Sequence, residues 1–152
     1  MAYRFVYRRT VAFSDTDLAG IVHFSRFFLY MEDCEHAFYR AEDESVHKMS
    51  DGDGGWVGWP RVHVSCDYRK PIRFEDELEI ELLVARVGTK TIDYRFKFRR
   101  VEDEGFTAVA SGKALVACVR CKEGVMEAVE IPQAIREKIE QAPEGELKKF
   151  TD

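Results

Sequence analysis

Two aspartates, a glycine and a histidine stand close together in Phe13-Ser-Asp15-Thr-Asp17-Leu-Ala-Gly20-Ile-Val22-His23-Phe24. The stretch after it is helical in pattern. Phe27, Tyr30, Met31, Cys34, Ala37, Phe38 and Ala41 recur at three- and four-residue steps, which places them on one face. Carboxylates thus sit beside backbone N–H groups that have no partner inside the helix. Such an N–H, aided by the helix dipole, stabilises negative charge growing on a carbonyl oxygen. A carboxylate alongside it can activate water or attack the carbonyl carbon. The chemistry to expect is attack on a carbonyl group. The first helical turn carries no acid, so nothing there opposes a developing oxyanion.

The elements that must hold this loop can be read from periodicity. Tyr3, Phe5, Tyr7, Val11 and Phe13 alternate with Arg4, Arg8 and Thr10, which predicts a half-buried strand ending at Phe13. The helix face reads as a core stripe, with Glu32, Asp33, Glu35 and Arg40 off it. From Glu42 to Pro60 the pattern lapses. Asp51-Gly-Asp-Gly-Gly55 must turn sharply or move. Trp56 and Trp59 then form either a pocket wall or an anchor to the core. No Lys-Ser/Thr closes that glycine run, so it is not a phosphate-cradling loop. Four long strands follow: Arg61 to Tyr68, Leu78 to Val84, Ile92 to Arg99 and Phe106 to Cys121. Three of them are joined by short turns, as antiparallel strands are. A short helix from Ile131 to Gln141, opened by a proline, is expected before a polar, frayed end. The expected architecture is α+β, a curved sheet around one long helix, in one domain over residues 1–152 with its core at about 3–125.

Bulk composition excludes several classes. The chain has 152 residues and a net charge of −5. An acidic balance argues against nucleic acid as a general partner. No apolar run approaches a membrane span, and the N-terminus lacks the apolar centre of a signal peptide. A cytoplasmic protein with reduced cysteines is expected. Cys118-Val-Arg-Cys121 has formal C-x-x-C spacing, yet residues three apart on a strand point to opposite faces. No second pair accompanies it, so these read as small apolar residues rather than a metal or redox site. His36, His47 and His63 show no metal spacing.

The segment from Phe13 to Phe27 resembles the active-site signature of hot-dog-fold acyl-CoA thioesterases, in the 4-hydroxybenzoyl-CoA thioesterase branch. The residues that carry it are Asp15-Thr-Asp17, Gly20, Ile-Val22, His23 and the aromatic Phe24. A weaker match is Val64-x-x-x-Tyr68-x-x-Pro71 followed by Asp76. The resemblance spans about residues 5–125. It implies a five-stranded antiparallel sheet wrapped around the helix, and dimers joined edge to edge that pair again into homotetramers. It implies hydrolysis of an acyl-CoA with no metal or organic cofactor. The catalytic carboxylate would be Asp17 and the carbonyl-polarising group the Phe24 N–H. Gly20 and Val22 would line the thioester. His23 falls on a variable position and could assist the leaving thiolate.

Each of these residues has a plainer reading. Asp15 and Asp17 could cap the loop or the helix. His23 could be a pocket wall. Phe24, Phe27, Trp56 and Trp59 point to an apolar acyl pocket, with Trp59 the candidate substrate contact, but core packing accounts for such aromatics too. Several Arg and Lys residues, among them Arg61, Arg69, Arg95, Lys97 and Arg99, could hold coenzyme A phosphates or face solvent. A non-catalytic acyl-CoA-binding domain is the main alternative function. A hydratase on the same fold would use a histidine-centred pattern that is absent.

Overall fold

The computed structural model describes residues 2–151. Its centre is a five-stranded antiparallel sheet built from β1 (Arg4–Thr10), β4 (Arg61–Tyr68), β5 (Glu77–Val87), β6 (Thr91–Val101) and β7 (Phe106–Ala117). The order across it is β1-β5-β6-β7-β4. One face wraps α1 (Arg26–Ala41). Leu78, Ile80, Leu82 and Val84 of β5 and Ile92, Tyr94, Phe96 and Phe98 of β6 alternate inward and are fully buried. They meet Phe27, Tyr30, Met31, Cys34 and Phe38 of the helix in one core. Two-residue alternation on the strands and three-to-four spacing on the helix thus close on each other.

The helix runs through sixteen residues with no Gly or Pro. It stops at Asp43, whose positive φ of 59° lets the Glu44 N–H fold back onto the Tyr39 carbonyl at 2.9 Å. The buried face differs from the apolar stripe at four positions, one of them Tyr39, which is buried outside the stripe. Ala41 is exposed and Ala37 only half-buried. Glu35, expected off the face, is 2% exposed and paired with Arg61 of β4 at 2.6 Å. The side chain faces a strand, and a guanidinium is what admits it there.

On the outer face of β5, Glu79 and Glu81 are buried under arginines from the flanking strands. Arg8 and Arg99 reach Glu79, while Arg4 and Arg99 reach Glu81. Cross-strand neighbours of opposite charge account for this cover.

Several boundaries differ from the sequence expectation. β1 ends at Thr10, and Phe13–Asp15 forms a 3-10 turn rather than the strand's last residues. The strand expected to run to Cys121 breaks at Cys118. Beyond it β8 (Val119–Lys122) pairs with β9 (Val125–Ala128) as a separate hairpin. The helix expected over 131–141 is confined to α2 (Gln133–Arg136). The polar end, expected to fray, forms α3 (Glu144–Thr151), which seats Phe150 and Leu147 against Leu83 and Ala142 on the outer face of the sheet. Two apolar residues three apart are enough to dock one turn of helix, although composition hides them.

In the irregular 42–60 segment, β2 (Met49–Ser50) and β3 (Trp56–Val57) pair around a tight loop. Asp51 ties it, accepting the N–H groups of Asp53 and Gly55 and an Arg120 guanidinium. No described helix is long and apolar enough to cross a membrane.

Candidate active site

The loop between β1 and α1 is a small hairpin. Thr16 and Val22 bridge in antiparallel fashion, and the Asp17 N–H donates to the Ile21 carbonyl at 2.9 Å. The His23 N–H donates to the Asp15 carbonyl at 2.9 Å. Inside the hairpin the Gly20 N–H closes a turn onto the Asp17 carbonyl at 3.0 Å, with Gly20 at φ +78°. That conformation is costly for a residue with a Cβ, although the space around it is open. Gly20→Ala is therefore expected to lose about 1–2 kcal/mol in urea unfolding through backbone strain alone. A change within error would mean that the turn relaxes freely.

The two aspartates have different surroundings. Asp15 is buried; one carboxylate oxygen takes the Ala12 N–H at 2.9 Å and the Arg9 guanidinium at 3.2 Å. Arg9 also pairs with Asp33 of α1 and lies over the Tyr30 ring, 4.5 Å from its centroid. Asp15 thereby clamps the loop to the strand and, through Arg9, to the helix. Asp17 is half-buried, and one oxygen accepts the Ala19 N–H at 2.9 Å. Its other oxygen has no protein hydrogen bond among the described residues. A carboxylate with one oxygen anchored and one open is oriented and still able to act on water or a carbonyl.

Helical hydrogen bonding begins one turn earlier than α1 itself. The Arg26 N–H donates to the His23 carbonyl and the Phe28 N–H to the Ser25 carbonyl. Phe24 lies in that leading turn. Among the described residues its N–H has no acceptor, which leaves it available to an incoming oxygen. Its carbonyl is held from the other side by the Tyr68 hydroxyl at 2.8 Å. Burial, with the neighbouring Cys66 second, pushes that phenol up to about 12, so it stays a donor. Tyr68 also packs edge-on against Phe27 at 4.9 Å. The edge strand thus braces the turn that carries the free N–H.

Of the remaining candidates, Val22 is buried in the core, and its N–H is tied to the Ile72 carbonyl at 2.8 Å. His23 is half-buried with its ring against Phe24, centroids 4.4 Å apart. Trp59 is not brought to the loop. It stacks on Tyr39, about 20 Å further along α1 at 1.5 Å per residue, and donates to the Met49 sulfur. Of the two tryptophans, Trp59 is the one anchored on the core, while Trp56 is 55% exposed. Around the hairpin, Phe13, Leu18, Phe24 and Phe74 are exposed instead. Sequence reading passed over Ser25 and the Arg9–Asp33 and Glu35–Arg61 pairs. A serine two residues after a histidine was the only available signal for the first. The pairs join distant segments and left none.

A cavity of about 420 Å³ lies elsewhere, on the outer face of the sheet between Arg69, Arg95, Lys97, Lys113 and Phe150. Among the described residues no cluster of three or more His, Cys, Asp or Glu could hold a metal ion.

A family model described as the thioesterase-like superfamily matches residues 11–139. The chain belongs to this superfamily. Its sheet, helix and loop form the hot-dog fold, and its relatives are thioester hydrolases. The 1,4-dihydroxy-2-naphthoyl-CoA hydrolase of Nostoc punctiforme is 28% identical over 120 residues, covering 78% of this chain and 79% of the relative. The dynemicin thioesterase superposes with a TM-score of 0.76 at 26% identity, covering 91% of this chain and 99% of the other. An Asp-to-Asn variant of 4-hydroxybenzoyl-CoA thioesterase, complexed with 4-hydroxybenzoyl-CoA, superposes with a TM-score of 0.80 over 90% of this chain and 99% of the other. Its 16% identity speaks for the fold alone.

Proposed function

We propose that this thioesterase-superfamily member hydrolyses an acyl-CoA to the free acid and coenzyme A. In this reading the Phe24 N–H holds the thioester oxygen, and Asp17 either activates water or attacks the carbonyl carbon. The observation that carries it is the unpartnered N–H in the turn leading into α1, in the same hairpin as a carboxylate with one open oxygen. One such donor contributes roughly a hundred- to thousandfold when aimed at the oxyanion. Gly20 lets the hairpin turn tightly below the reacting group. No cofactor is needed, because the thiolate is a good leaving group.

The exposed aromatics Phe13, Phe24 and Phe74 beside the hairpin support an aryl rather than a short aliphatic acyl group. The naphthoyl-CoA hydrolases among the relatives point the same way. The test is a panel of aromatic and aliphatic acyl-CoAs assayed for free thiol. Turnover of an aryl-CoA with kcat/KM of about 10⁴ M⁻¹s⁻¹ or more is expected. The alternative, an acyl-CoA-binding domain without catalysis, draws on the Asp17 oxygen engaged with the Ala19 N–H, a turn-capping role that binding alone would preserve. Saturable binding of every acyl-CoA with no thiol release would favour it.

The working form in this proposal is an oligomer. β4 is an eight-residue edge strand exposed along most of its length, with Val62 and Val64 open to solvent. Such an edge calls for pairing. A second copy laid against it would also cover the exposed hairpin. Charge on that edge, as in the double variant Val62→Asp, Val64→Asp, is expected to yield monomers in sedimentation. Wild-type assembly of that variant would move the interface elsewhere.

A further inference from the structure

His23 and Ser25 close a small hydrogen-bonded ring at the foot of α1. Nδ1 of His23 lies 2.7 Å from the Ser25 hydroxyl. The Ser25 backbone N–H points at the same nitrogen, 3.3 Å away. A backbone N–H only donates, so Nδ1 is an acceptor, and a proton on it would face the amide hydrogen. The hydroxyl, which can turn either way, then donates as well. In a neutral imidazole the one remaining proton must sit on Nε2.

The backbone around the ring is equally fixed. The His23 N–H is held by the Asp15 carbonyl, and the His23 carbonyl by the Arg26 N–H. The ring rests against Phe24, inclined by 32°. His23 is therefore pinned on both sides, next to the residue whose N–H is free.

We infer that His23 serves the thioester as a neutral hydrogen-bond donor through Nε2–H, and that Ser25 is the positioning residue that fixes this tautomer. The inference rests on the hydrolysis reading above. No proton is transferred in this role. A neutral imidazole N–H placed toward a carbonyl or departing sulfur stabilises developing negative charge by hydrogen bonding, as a second donor beside the Phe24 N–H. With its Nδ1 lone pair engaged by Ser25, that nitrogen is not the base that activates water, and the duty stays with Asp17.

The test reads the tautomer directly. Long-range proton–nitrogen correlation of the ¹⁵N-labelled protein at neutral pH, with the His23 signals assigned by their loss in His23→Gln, should give a protonated Nε2 and a bare Nδ1. A protonated Nδ1 overturns the inference. Ser25→Ala removes the hydroxyl at 2.7 Å and leaves only the longer backbone N–H contact at 3.3 Å, so it should weaken the tautomer preference and lower kcat roughly three- to tenfold, the worth of one hydrogen bond, while KM stays within about twofold. Ser25→Thr should restore both readouts. An unchanged kcat in Ser25→Ala overturns the positioning role. A protonated Nδ1 alongside an inactive Asp17→Asn variant defeats this inference alone, whereas a fully active Asp17→Asn variant defeats the reading beneath it.

Discussion

Asp17→Asn is expected to lower thiol release from the best acyl-CoA by about 10²- to 10⁴-fold, the range spanned by a positioned acid–base group. The amide can still accept the Ala19 N–H, as the carboxylate oxygen does at 2.9 Å, so the turn should keep its shape. It can neither take a proton from water nor attack a carbonyl. The loss should therefore fall on kcat, with KM, unfolding midpoint and oligomeric state close to wild type. Asp15→Asn should behave in the opposite sense. Its carboxylate bridges the Ala12 N–H and the Arg9 guanidinium in a buried setting. Removing that charge weakens the clamp and costs stability first, with a smaller loss of turnover. If Asp15→Asn were the inactive variant and Asp17→Asn the merely unstable one, the base would be Asp15.

The second large effect concerns stability, far from the loop. Glu35 is buried on the helix face that meets β4, 2.6 Å from Arg61. Burial raises its carboxyl above the ordinary glutamate range, and the Arg61 charge pulls part of that shift back. Arg61→Ala would leave a buried carboxylate without a counter-charge, an arrangement that costs about 3–5 kcal/mol at neutral pH. The sign of the pH dependence follows from the raised value. Between the unfolded pKa near 4.5 and the higher folded one, the native state holds more protons than the unfolded state. Stability therefore falls as pH rises through that window. The window widens upward in Arg61→Ala, since the lowering partner is gone. Urea unfolding at about pH 4.5 and 7.5 should show the variant close to wild type in acid and far weaker at neutral pH. Adding Glu35→Gln to Arg61→Ala should recover most of the neutral-pH loss. A variant equally weak at both values, unrepaired by Glu35→Gln, would mean that Arg61 acts through packing.

These two predictions mark what local pattern could and could not convey. The helix was legible because Phe27, Tyr30, Met31, Cys34 and Phe38 repeat at its own period, and β5 and β6 because their apolar residues alternate. The hairpin could be located because Asp15, Asp17 and Gly20 are turn residues packed into six positions. The buried glutamates were not legible. Glu35, Glu79 and Glu81 are charged residues in sequence, and arginines supplied from other strands, Arg61, Arg4, Arg8 and Arg99, allow them inside. Trp59 stayed ambiguous for a related reason. An aromatic beside glycines reads equally as a pocket wall or a core anchor until Tyr39, twenty residues earlier, is found stacked beneath it. The last helix was hidden because Leu147 and Phe150 stand alone among charges, and their partners Leu83 and Ala142 are contributed by other segments.

The most direct measurement is a crystal structure of Asp17→Asn with an unhydrolysed aryl-CoA bound. The thioester oxygen should lie within about 3.1 Å of the Phe24 nitrogen, with the side chain at position 17 facing the carbonyl carbon. A thioester seated elsewhere, with the Phe24 N–H turned to solvent, would contradict the account.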